Sequence, residues 1–85
     1  MTLLQDVKAQ LGITIDDVDI DYGIEMKINA VKGYLIDGGA DITEPVTPKV
    51  SACIAVGVND LLNSKAGGTD FSPAFHLLAR QICRG

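Results

Sequence analysis

Eighty-five residues make one small domain, 1–85, with room for a modest core and too little chain for a deep catalytic cleft plus its scaffold. Hydrophobic residues reach 47% while aromatics are only 5% with no Trp, a composition suited to packed helices and not to a broad aromatic binding face. The net charge is −4 and the cations are scattered, which argues against phosphate-binding surfaces and anionic membranes, since both need clustered Lys and Arg.

The opening MTLLQDVKAQ lacks the basic-then-apolar layout of an export signal, and no run approaches the ~18 apolar residues of a membrane span. A reduced, intracellular setting is therefore expected. Cys53 and Cys83 read as small buried hydrophobes in preference to a disulfide. Thr2 caps a first short helix whose Leu3, Leu4, Val7 and Leu11 make one apolar stripe, and Gly12 ends it. Ile13 and Ile15 are expected to pack onto the body while the chain turns.

The next stretch, ITIDDVDIDYGIEMKI, poses a choice between a calcium loop and the acidic start of a helix. A calcium loop needs glycine at position 6 and a bidentate Glu at position 12. Counted from Asp17, those positions hold Tyr22 and Ile28. The helical reading fits: Asp16 or Asp17 caps, and acids in the first turn meet the positive end of the helix dipole. Ile20, Ile24, Ile28, Val31 and Leu35 then recur at helical spacing, predicting a long amphipathic helix over 16–37 stopped by Gly38 and Gly39. Gly23 and Gly33 interrupt it at roughly 1 kcal/mol each against Ala. They read either as tolerated defects or as places where another backbone comes close, within the domain or across a subunit contact.

Residues 38–49 read as a loop, and Thr47-Pro48 as a cap followed by proline at the first helical position. A third helix over about 48–63 carries Val50, Cys53, Ile54, Gly57, Val58, Leu61 and Leu62 on one face. Ala, Ser and Val fill the rest, which predicts a central, largely buried helix. After a second loop, Ser72-Pro73 repeats the device, with Phe71 placed to staple onto Phe75 or His76. The last helix, 73–83, has Phe75, Leu78 and Ile82 on one face with Leu77 beside them, and Arg80 and Arg84 at its cation-favouring end. The predicted fold class is all-α: a small bundle of about four helices with two flexible loops.

No catalytic or metal set emerges. His76 is the single histidine, and neither cysteine stands beside it in a nucleophile–base pattern. Cys53, His76 and Cys83 supply three zinc ligands without a paired spacing. Asp37, Asp41, Glu44, Asp60 and Asp70 lie in or beside loops and read as solvated surface. Gly67-Gly68 lacks the Lys and Ser/Thr of a phosphate cradle. No cofactor is expected, and what remains is an interaction module.

In order and spacing the chain resembles the head–tail connector (adaptor) proteins of tailed bacteriophages. The likeness runs through the leader Leu4-Gln5-Asp6-Val7-Lys8-Ala9-Gln10-Leu11-Gly12-Ile13 and the acidic Asp16-Asp17-Val18-Asp19. It continues in the helix centre Ile28-Asn29-Ala30-Val31-Lys32-Gly33-Tyr34-Leu35 and closes with Leu77-Leu78-Ala79-Arg80-Gln81-Ile82-Cys83-Arg84. The chain departs from the family where an aromatic-Tyr-Glu-Asn-Arg-like run would end the buried helix; here stands Val58-Asn59-Asp60-Leu61-Leu62-Asn63.

The resemblance implies a non-enzymatic structural protein of the virion neck, made in the host bacterial cytoplasm. Its copies would form a homo-oligomeric ring under the portal protein, extend the DNA channel and dock the next neck, stopper or tail-completion protein. DNA would pass without sequence-specific binding. By the same resemblance Arg80, Arg84 and Gly85 form the portal-facing end, and loops 38–49 and 63–72 are candidates for subunit or neck contacts. Gly23 and Gly33 are candidate helix-packing or subunit-contact positions. The alternative is a small helix-turn-helix DNA-binding regulator, disfavoured by the acidic charge and the absence of a basic recognition helix.

Overall fold

The computed structural model describes residues 2–42, 46–63 and 71–83. Among them are four helices and no strand: α1 (Leu3–Leu11), α2 (Val18–Asp37), α3 (Pro48–Asn63) and α4 (Pro73–Ile82). The all-α bundle expected from the sequence is the fold observed.

Each helix begins where a side chain can satisfy its free N–H groups. The Thr2 hydroxyl accepts from Gln5 N at 3.2 Å, and Thr2 N donates to Gln5 Oε1 at 3.0 Å, a reciprocal capping box. Asp17 Oδ1 accepts from Asp19 N (2.8 Å) and Ile20 N (3.2 Å), so the aspartate cluster does open a helix. Thr47 Oγ1 accepts from Val50 N at 3.3 Å at the head of α3. α1 stops at Gly12, whose φ of 77° is left-handed and costs glycine little.

α3 is the central helix: α1, α2 and α4 all pack on it. The core holds Val7 from α1, Ile24, Ile28, Val31 and Leu35 from α2, and Cys53, Ile54, Ala55 and Val58 from α3. Phe75 and Ala79 from α4 complete it, with Ala40 from the turn after α2. Phe71 stacks on Phe75 with ring centroids 4.2 Å apart, and Tyr34 closes the aromatic cluster at 5.0 Å and 5.8 Å from the two rings. The expected Phe71 staple is therefore made onto Phe75.

Three expectations need correction. Ile20 is expected on the buried stripe of α2 but is 42% exposed. Ile15 is also exposed, while Ile13 packs against the core. Asp60 is not idle surface charge. Its Oδ2 accepts from Ser72 N (2.9 Å) and Ser72 Oγ (2.8 Å), and Ser72 Oγ in turn accepts from Phe75 N at 3.3 Å. A carboxylate on α3 thus fixes the cap of α4 at the positive end of its dipole. Glu44 and Asp70 lie outside the described residues.

The far ends of α2 and α4 are joined too. Ala40 and Cys83 form an isolated antiparallel bridge, and the Cys83 thiol donates to the Leu35 carbonyl at 3.6 Å.

Candidate functional site

A groove of about 610 Å³ lies where the end of α2 meets α4, lined by Tyr34, Asp37, Gly38, His76, Ala79, Arg80 and Cys83. Arg80 is exposed on its lip, with Asp37 among the other charged lining residues. Of the expected portal-facing set only Arg80 can be placed; Arg84 and Gly85 lie outside the described residues, as do 43–45 and 64–70 of the two loops. His76 is exposed and meets Phe71 and Phe75 edge-on. It shares the groove with Cys83, whose thiol is turned to the Leu35 carbonyl. Among the described residues no group of three or more His, Cys, Asp or Glu side chains converges as a metal site.

Cys53 is fully enclosed and both cysteines are free thiols. Burial, helped by the neighbouring Cys83, pushes the Cys53 thiol from its ordinary 9.0 up to about 11, which is the opposite of what a nucleophilic thiolate requires. Lys8 shares the alkaline range. Its Nζ lies 2.7 Å from Asp21 Oδ1 and 3.3 Å from Asp16 Oδ1, tying α1 to the start of α2. The Asp21 contact is short but lacks hydrogen-bond geometry, so charge alone compensates that buried oxygen. Asp21 is the main cause that raises the Lys8 pKa; burial opposes it and Asp16 assists.

Both groups hold their protons more tightly folded than unfolded. Their stabilisation is complete below about pH 9 and is lost as pH rises through the folded values. Cys53 has no exposed surface, yet the domain is only 17 Å across its shortest axis, so water is never far. Discounted for that screening, the thiol accounts for about 1–2 kcal/mol. Urea titrations between pH 8 and pH 11 should therefore show falling stability, and Cys53→Ala should flatten the slope. An unchanged slope in that variant would refute the assignment.

Gly57, not Gly23 or Gly33, is the glycine of close approach. A Cβ built there would meet Phe75 Cε1 at 2.7 Å and Val31 Cγ1 at 2.9 Å, whereas among the described residues nothing lies within 4 Å of the corresponding point at Gly23 or Gly33. The intradomain contact considered for those two positions is not made. Neither has a positive φ, so alanine fits both. Gly23→Ala and Gly33→Ala should each add about 0.5–1 kcal/mol by restricting the unfolded chain. A melting temperature that falls in either variant would refute the open space assigned to that position.

The most distinctive surface is the outward side of α2. Val18, Tyr22, Met26 and Ile36 are 84%, 67%, 56% and 51% exposed, and their spacings of 4, 4 and 10 residues put them on one flank of the helix. Asn29 and Gly33 fall between them on the same flank, also exposed. The core stripe of Ile24, Ile28, Val31 and Leu35 lies on the other side, so α2 is apolar on two faces. Sequence reading followed only the inner stripe. The outer one was present in the spacing of Val18, Tyr22 and Met26, but both stripes have the helical period, and period alone does not say which faces the core. No described helix is long and apolar enough to cross a membrane. No protein-family model, curated protein or solved structure matches this chain.

Proposed function

We propose that this chain is a non-enzymatic docking protein of a tailed-phage neck, a connector whose copies ring the base of the portal, extend the DNA channel and receive the next neck or tail protein. The observation that carries this reading is the second apolar face of α2. A helix of 20 residues that has already filled its core stripe gains nothing for folding from four more exposed apolar side chains. Such a surface supports an interaction reading. The net charge of −4 supports it as well, because an acidic unit beside a passing duplex repels phosphates and lets the DNA slide. In a symmetric ring each contact can be modest, since many are made together.

Electron microscopy of the protein mixed with portal rings tests this. The expected result is an annulus of added density at one end of the portal. Undecorated portals, or tight duplex binding by the chain at low salt, would overturn the proposal, and the second outcome would favour a helix-turn-helix regulator.

A further inference from the structure

We infer that the outward face of α2 receives an amphipathic helix from another protein, apolar along its centre and basic along its edges. The inference rests on the docking reading of this chain but not on the ring.

Three features of the face define the occupant. Its centre is apolar and elongated: Val18, Tyr22, Met26 and Ile36 follow the helix axis for five turns, about 27 Å at 1.5 Å per residue. A straight partner helix matches that shape by presenting its own i, i+3, i+4, i+7 residues. The centre also has a notch. Gly33 is exposed, with no neighbour among the described residues within 4 Å of where a side chain would begin, between Asn29 and Ile36 on the same flank. A crossing helix can therefore approach the α2 backbone closely at that point.

The rim is acidic. Asp19 and Asp37 are exposed and stand 18 residues apart, five whole turns, and so lie along the same edge of the stripe. Glu25 is exposed on the opposite edge. These three carboxylates take no part in the Lys8 pairing that occupies Asp16 and Asp21, nor in the cap made by Asp17. Lys32, on the Glu25 side, already has an interaction of its own. An occupant with Lys or Arg flanking its apolar residues would meet Asp19 and Asp37 along one edge and Glu25 on the other.

A second copy of this chain fits less well, for two reasons. A two-fold antiparallel pairing through this face would bring the Asp19–Asp37 edge against itself, setting Asp19 opposite Asp37 of the other copy. The area is also small. A stripe about 30 Å long and ~10 Å wide gives roughly 300 Å² a side, against the ~800 Å² per partner of a stable interface. Apolar contact on this scale needs added electrostatic attraction, which a basic partner supplies and a second copy does not.

The test uses the full chain and a synthetic peptide of about 18 residues, long enough to form a helix on binding, with Leu at i, i+3, i+4, i+7 positions and Lys on both flanks. One control peptide carries Glu for every Lys; another has the same composition scrambled so that no apolar face forms. The expected result is saturable binding of the basic peptide alone, weakened by salt, with amide shift changes centred on Tyr22, Met26, Gly33 and Ile36. Met26→Glu and Gly33→Leu, both at exposed positions, should keep the helical circular dichroism and each weaken binding about tenfold or more.

Equal binding by either control peptide would overturn the inference. So would shift changes mapping to the Arg80 groove, an absence of binding, or self-association of the free chain that Met26→Glu abolishes. Portals decorated by a chain that ignores the peptide would remove this occupant while leaving the connector reading standing. Peptide binding without decoration would do the reverse.

Discussion

Replacing Phe75 with alanine should cost about 3–5 kcal/mol, the usual price of emptying a buried aromatic site. Phe75 has no exposed surface and joins three elements. Its ring stacks on Phe71, lies 5.8 Å from Tyr34 of α2, and presses its edge over Gly57 of α3. The loss is large because little can collapse into the gap: Gly57 has no side chain to move, and Val31 and Val58 are already fully enclosed. A domain of 85 residues has roughly 4–13 kcal/mol of stability in total. The variant should therefore unfold at much lower urea, or fail to fold at all. A urea midpoint within error of the parent would show that α4 is held by something other than this ring. Phe75→Leu gives a milder check, retaining most of the apolar contact.

Gly57→Ala is expected to destabilise as well, although alanine is the better helix former by about 1 kcal/mol. The added methyl would sit 2.7 Å from Phe75 Cε1 and 2.9 Å from Val31 Cγ1, closer than carbon atoms approach. Neither neighbour is the free end of a flexible side chain, since both are completely buried. Overpacking of this kind costs about 1–3 kcal/mol, which should outweigh the gain in propensity. The two predictions are linked. In a Phe75→Leu background the ring edge is gone and the Val31 contact remains, so Gly57→Ala should cost less than it does in the parent chain. A double-mutant cycle by urea unfolding reads that coupling directly, and strict additivity would mean that the two residues do not share the space assigned to them.

The helices and most of their caps were legible in the sequence because local chemistry sets them. Thr2, Asp17, Thr47 and Ser72 each stand one residue before the helix they start, and Gly12 follows the one it ends. α3 was recognisable as central from its lack of a polar face. What escaped were relations between residues far apart in the chain. Asp60 looks like surface charge until Ser72, 12 residues on, is seen to donate to it twice. Gly57 looks like any apolar-face residue until Phe75 arrives from α4. Gly23 and Gly33 drew notice because glycine is costly inside a helix, but that cost does not reveal whether a neighbour lies above. The outer stripe of α2 was hidden for a related reason: it shares the helical period of the inner one, and period alone points to a single core face.

The clasp between Ala40 and Cys83 governs how the chain answers to tension. Traction on α4 from its far end is delivered crosswise into the turn after α2, and so into two helices at once. The helix is not peeled away one turn after another; the bridge, the Leu35 contact and the stacked rings must yield in a single rupture. In the neck position proposed above, an end that resists and then lets go all together would act as a fastener.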